Sequence, residues 1–117
     1  LKQPYRIRVK DREAFYMAGL WTRRMHPEGR PVYSFTVITT EPNELMVGIH
    51  YRMPVILDRA ATRQWLDQTK GAEAVMPLLR SYPAEAMEAY PVDPAVGSVK
   101  TDHPGLIVPY EPPAELG

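Results

Sequence analysis

Three observations predict that this chain folds as an α+β domain. Runs with the two-residue period of strands crowd the first 57 residues, helical spacing gathers after Asp58, and no βαβ alternation joins the two. Seven of the 13 prolines fall from residue 83 onward, so the end of the chain reads as turns and extended segments. At 117 residues the chain is long enough for one compact domain with a real core, and we expect one domain or part of one. It opens on Leu1 with Lys2-Gln3-Pro4-Tyr5 already leading into a strand, which gives the expectation of a fragment that begins mid-domain.

Tyr5-Arg6-Ile7-Arg8-Val9 alternates apolar and basic residues, the pattern of a strand whose two arginines share a wet face. After the polar break Lys10 to Glu13, the run Ala14 to Trp21 is apolar almost throughout and suits a strand covered on both faces. A hairpin between these two strands is expected. Arg23 to Pro31 holds two prolines, a glycine and four basic side chains counting His26, and reads as an exposed loop. Val32 to Thr39 returns to β-branched and aromatic residues, giving a third strand. Thr40 is placed as the cap of a short helix with Pro42 in its first turn, running through Leu45, Met46 and Ile49 and leaving His50 just past its end. Met53 to Leu57 is a short buried strand, and Asp58 caps a helix from Arg59 to Gln68 that Gly71 interrupts. A second helix is predicted over Ala72 to Arg80, and a last strand over Ala86 to Val92.

No stretch of about 18 apolar residues is present, and the N-terminus lacks the basic-then-apolar order of a signal peptide, so the chain reads as soluble, with no membrane partner. With no cysteine, these residues hold no disulfide, thiolate metal site or cysteine nucleophile. The formal net charge is zero but unevenly spread: residues 1 to 30 carry eight Lys and Arg against three acids, and residues 81 to 117 one base against six acids. The N-terminal quarter is therefore suited to a polyanion, unless these charges are simply solvated.

His26-Pro27-Glu28 has the H-x-E spacing of zinc deaminases, but the paired cysteines that complete such a site are missing. The three histidines lie too far apart for a local metal motif, no Gly-rich phosphate loop occurs, and no serine sits in a nucleophile elbow; neither metal nor cofactor is assigned. His50 and Arg52 remain. Two residues apart in an extended segment, an imidazole and a guanidinium face one space, where one can move a proton and the other grip an anion. Local physics leaves two readings open, a proton-transfer group or a polar residue at the mouth of a buried strand.

The blocks "KQPYRIR", "FYMAGLW", "SFTVITTEPN", "GIHYRMPVIL", "WLD" and "YPVDPAVGSVK" occur in an order and spacing that resemble the SRAP family, the SOS-response-associated peptidase-like, abasic-site-processing proteins. The resemblance runs roughly from Lys2 to Pro109. It implies a mixed, mostly antiparallel, barrel-like sheet with short flanking helices. Residues 1–110 would be the C-terminal portion of a single SRAP domain, and 111–117 a tail. It also implies shielding of abasic sites in single-stranded DNA: an N-terminal cysteine, exposed by autoproteolytic loss of the initiator methionine, forms an imine through its amine and closes a thiazolidine through its thiol.

Of that family's catalytic set this chain would carry only His50, as acid and base. The cysteine, an asparagine and a glutamate would lie upstream of Leu1, in an N-terminal half supplied elsewhere, so the segment alone is expected to be inactive. Arg52, Thr39 and Lys100 would face DNA, helped by the basic faces of the early strands. The protein would act in the cytoplasm, on the nucleoid when bound to DNA. Tyr51 stands where the family commonly has Asp, and Asp93 places a negative charge near the presumed DNA side. Trp21 and Trp65 could stack bases but are assigned to core packing. A non-catalytic single-stranded nucleic-acid-binding module of the same fold is the alternative reading. A third is an interaction domain in which the basic N-terminal quarter contacts the acidic tail.

Overall fold

The computed structural model describes residues 3–112; of the tail expected at 111–117, residues 113–117 lie outside them. In chain order the strands are β1 (Tyr5–Val9), β2 (Tyr16–Met17), β3 (Gly19–Met25), β4 (Pro31–Val37), β5 (Thr39–Thr40), β6 (Met53–Pro54), β7 (Ile56–Leu57) and β8 (Met87–Pro91), with helices α1 (Arg59–Leu66) and α2 (Ala72–Val75) between β7 and β8. All strand pairs are antiparallel, so the architecture is α+β as the sequence pattern predicts. The chain forms two compact units, Leu1–Glu13 with Glu85–Gly117, and Ala14–Ala84.

In the first unit β1 pairs with β8 along its whole length, from Tyr5 opposite Pro91 to Val9 opposite Met87. Val9, Met87, Val92 and Leu106 are its buried apolar residues. The other face is polar and internally matched: Arg8 meets Glu88 at 2.8 Å, and the Arg6 Nη1 donates to the Tyr90 hydroxyl at 2.7 Å. The basic face expected on this strand is therefore partly neutralised by acid and phenol from near the other end of the chain. Asp93 accepts from the Ala95 amide and caps a 3-10 turn, Pro94–Gly97, which gives that carboxylate a local structural use.

The second unit is organised by a three-way strand junction. The Ala18 amide donates to the Val55 carbonyl, the Val55 amide to Ile38, and the Ile38 amide to Ala18, at 2.8 to 2.9 Å. Each of these residues separates two short strands, so each extended segment changes partner there: β2 pairs with β7 while β3 pairs with β4, and β5 pairs with β6. Ala18 and Val55 are completely buried, and with Leu57 they form the core against which Ile38, Ala61, Trp65, Leu78 and Leu79 pack. A methyl group at position 18 suits a point where three backbones converge. Asp58 caps α1 as predicted, its carboxylate accepting from the Ala61 amide at 2.8 Å.

Several expectations are corrected. β1 and β2 form no hairpin; β1 takes a partner 80 residues later and β2 takes β7. The Ala14 to Trp21 run is not covered on both faces: Tyr16, Met17, Leu20 and Trp21 are exposed, the last at 72%, because the packing by α1, Leu78 and Leu79 centres on the junction. Trp21 is thus not a core residue, whereas Trp65 is half-buried and donates from Nε1 to the Gly19 carbonyl at 3.2 Å. The loop expected over Arg23 to Pro31 shrinks to the turn His26 to Arg30, closed by a 2.8 Å bond from the His26 amide to the Arg30 carbonyl, with Gly29 in the left-handed region at φ 91°. No helix forms after Thr40, which lies in β5; residues 44–49 are turns capped by Asn43. The second helix is regular only over Ala72–Val75, then tightens to a 3-10 turn at Met76–Leu78 around Pro77, which has no amide to donate.

Candidate functional site

The segment from Thr39 to Pro54 carries the candidate chemistry, and both its ends are pinned. β5 and β6 pair Thr39 with Pro54 and Thr40 with Met53, so the 12 residues between them close a loop whose exit is fixed by the junction at Val55. Inside the loop Asn43 is buried at 8% exposure, and both ends of its side chain are engaged. Its Oδ1 accepts from the Met46 amide at 2.9 Å, and its Nδ2 donates to the Tyr82 carbonyl at 2.7 Å. The buried Met46 supplies the carbonyl that accepts from both the Ile49 and His50 amides. Asn43 thereby sets the turn that delivers His50. The missed signal was an Asn three residues before Met46, the spacing at which a side-chain cap meets an amide.

The chain bends at Tyr51, so the extended geometry assumed for His50 and Arg52 does not occur. The imidazole instead folds back on the Arg52 backbone. Nδ1 lies 3.1 Å from the Arg52 amide and 3.0 Å from the Arg52 carbonyl. With the proton on Nε2, Nδ1 accepts from the amide; with a proton on Nδ1, the ring donates to the carbonyl instead. Either way the ring is held through Nδ1, and Nε2 has no hydrogen-bond partner among the described residues. The Tyr51 ring stacks on the imidazole with centroids 4.7 Å apart and planes 20° apart.

Arg52 is half-buried and turned onto β5. Its Nε donates to the Thr39 Oγ1 at 3.2 Å and its Nη2 to the Thr39 carbonyl at 2.8 Å, leaving Nη1 without a partner among the described residues. The Thr39 hydroxyl, accepting from Arg52, keeps its own proton to donate. The structure thus brings His50, Arg52 and Thr39 together in one unit. Lys100 belongs to the first unit, in a turn where its amide donates to the Ser98 hydroxyl at 3.3 Å. His26 and Glu28 belong to the β3–β4 turn, the Glu28 amide donating to the His26 Nδ1 at 3.1 Å.

A cleft of about 500 Å³ lies elsewhere in the same unit, lined by Leu20, Ile38, Trp65, Leu66, Val75 and Leu79 among others; none of the three candidate residues lines it. Asp67, also on its wall, has a carboxyl held below the ordinary aspartate range by the Thr69 hydroxyl and amide and by nearby Lys70. That is the signature of the turn after α1 rather than of a reacting group. No helix among the described residues is long and apolar enough to cross a membrane.

Comparison with known proteins gives one family. The family model for SOS response associated peptidase (SRAP) matches residues 1–99. The abasic site processing protein YoqW of Bacillus subtilis is 45% identical over 107 residues, which is 91% of this chain and 48% of that protein. The chicken abasic site processing protein HMCES is 40% identical over 98 residues, 81% of this chain and 29% of that protein. A crystal structure of a protein from Bacteroides thetaiotaomicron superposes with a TM-score of 0.83 at 29% identity, covering 93% of this chain and 49% of that one. The chain therefore spans about half the length of the bacterial relatives it matches, and it belongs to the SRAP family.

Proposed function

We propose that these residues are the C-terminal portion of an abasic-site processing domain, with 1–110 forming that portion and His50 moving the proton in its chemistry. The observation that carries this reading is the imidazole anchored through Nδ1 with Nε2 unpartnered, beside an arginine and a threonine that each keep a donor in reserve. An abasic sugar must open before it can react. A proton leaves the anomeric hydroxyl, one is delivered to the ring oxygen, and the C–O bond between them breaks to give the aldehyde. A single imidazole presenting Nε2 can serve both transfers in turn. The amine of an N-terminal cysteine in the complementary half then adds to the aldehyde and loses water as an imine. The thiol adds across the C=N bond, closing the thiazolidine. Arg52 through Nη1 and Thr39 through its hydroxyl bind backbone phosphate of single-stranded DNA without reading sequence, and Lys100 adds a further cation.

In this reading the partners are single-stranded DNA with an abasic site and the N-terminal half of the domain, and the place of action is wherever that DNA is exposed, the bacterial cytoplasm and nucleoid. These 117 residues contain no cysteine, so alone they can bind but cannot crosslink. That same absence favours a second reading, a binding module without chemistry.

The test uses the domain completed by its N-terminal half, an oligonucleotide carrying one abasic site, and the variant His50→Ala. Crosslink formation and reversal are expected to slow by about 10² to 10⁴ fold, the usual contribution of a positioned acid or base. Unchanged rates would remove His50 from the mechanism, and loss of Arg52 without loss of DNA affinity would remove the phosphate site.

A further inference from the structure

The β3–β4 hairpin has an apolar face that the described residues leave mostly exposed. Pairing runs from Gly19 opposite Val37 to Met25 opposite Pro31, with Trp21 opposite Phe35 and Arg23 opposite Tyr33. Side chains alternate across a strand, so Trp21, Arg23, Met25, Tyr33, Phe35 and Val37 share one face, and Leu20, Thr22, Arg24, Val32, Ser34 and Thr36 share the other. Sequence alternation therefore makes the first face the one built for burial and the second the polar one. The residues continuous with the polar face, Ala18 and Ile38, belong to the core near the junction, where Ala61 and Trp65 of α1 and the later Leu78 and Leu79 also pack. The apolar face is left at 72% exposure for Trp21, 62% for Tyr33, 80% for Phe35 and 55% for Met25. Trp21 and Tyr33 already touch, their ring centroids 5.9 Å apart.

We infer that this aromatic face is the seam against which the complementary half of the SRAP domain packs. The inference rests on the reading given under Proposed function, that the chain is one portion of such a domain. Two observations select this occupant. YoqW carries about as many residues again beyond the 48% that this chain matches, enough to supply a covering layer. The face is also predominantly apolar, with one cation, Arg23, whose Nη2 lies 3.8 Å from the Met25 sulfur. Burying such a face calls for a polypeptide surface that is aliphatic or aromatic, with one carboxylate placed opposite Arg23. The same strand parity that places Phe35 and Val37 on the seam also places Thr39 there, so the covering half would reach the edge of the His50, Arg52 and Thr39 site.

The experiment co-expresses this chain with the segment of YoqW that has no counterpart in it. The two are expected to co-purify, with amide exchange of residues 19–37 slowed at least about tenfold in the complex relative to the chain alone. Phe35→Asp and Trp21→Asp are expected to weaken the complex about tenfold or more, while Val108→Asp, at an exposed position of the first unit, leaves it within about twofold. The exchange measurement needs no variant, so misfolding of a variant cannot mask the answer. Failure to assemble, unchanged exchange over residues 19–37, or full affinity in both face variants overturns the inference. So does a homodimer through this face that the complementary segment fails to displace, which makes a second copy the occupant, or loss of thymidine-oligonucleotide binding in the face variants with assembly intact, which makes the face a base-stacking platform. A complex that assembles through this face yet never crosslinks abasic DNA sinks the functional reading and spares the seam. One that crosslinks DNA while the face variants assemble normally does the reverse.

Discussion

Asn43 carries more of the candidate site than its short side chain suggests. Buried, with its amide and its carbonyl oxygen both engaged, it ties the 44–49 turn to the Tyr82 backbone and so fixes where His50 emerges. Asn43→Ala leaves the Met46 amide and the Tyr82 carbonyl to find other partners, an expected loss of about 1 to 3 kcal/mol in a denaturant melt. Asn43→Asp keeps the cap but turns a carboxylate oxygen toward the Tyr82 carbonyl in a buried site, and should cost at least as much as Ala. Equal stability of all three would show the turn to be held by Met46 and Met53 packing instead. Arg52 is predicted to act by charge as well as by shape. In the complete domain, Arg52→Ala should reduce the slope of log affinity against log salt for single-stranded DNA by about one phosphate contact. Arg52→Lys should keep the slope but weaken binding, because lysine cannot hold Thr39 through both its hydroxyl and its carbonyl. A slope unchanged in Arg52→Ala removes this residue from the DNA contact.

At the scale of elements the junction of Ala18, Ile38 and Val55 decides the second unit. Ala18 has no accessible surface, so Ala18→Leu must push apart backbones joined by three hydrogen bonds, an expected cost of about 1 to 3 kcal/mol or more. The neighbouring Gly19 has little more room, since a Cβ there would sit 3.1 Å from the Thr36 carbonyl oxygen. A midpoint in urea unchanged for Ala18→Leu would mean the junction breathes more than its packing implies. The contrast with Asp58→Ala is informative, because loss of one exposed cap should cost only about 1 kcal/mol.

These elements also mark what was legible in the sequence. Strands over residues 5–9 and 53–57 and the Asp58 cap follow from local period and local chemistry, which a short window contains. The β1 partner was not legible, because β8 lies 80 residues away and period alone does not choose partners. Residues 44–49 form turns rather than the helix expected from a Thr40 cap because Asn43 supplies the cap instead, which propensity alone does not reveal. At the site, spacing brought His50 and Arg52 to notice, yet the bend at Tyr51 replaces the assumed shared face with a ring held on the Arg52 backbone.

For the molecule as a whole, charge and apolar surface act in opposite ways on its behaviour in solution. The 14 Lys and Arg balance 14 Asp and Glu, so near neutral pH no net repulsion keeps copies apart. Among the described residues one ion pair, Arg8 with Glu88, joins the basic beginning to the acidic end, but both side chains are more than a third exposed and such a pair contributes at most about 1 kcal/mol. The aromatic face of β3 and β4 meanwhile offers several large side chains more than half exposed. If the dominant attraction between copies is this face, association should strengthen as salt rises, because screening removes little and apolar contact is reinforced. If it is instead the basic beginning of one copy meeting the acidic end of another, salt should dissolve it. Sedimentation velocity at about 0.05 and 0.5 M salt distinguishes the two, since the screening length falls from roughly 14 to 4 Å across that range. The prediction is more association at the higher salt, abolished by Phe35→Asp and absent once the complementary half is bound. Dissociation at high salt would place the attraction in the charge asymmetry of the chain and leave the aromatic face without a role in it.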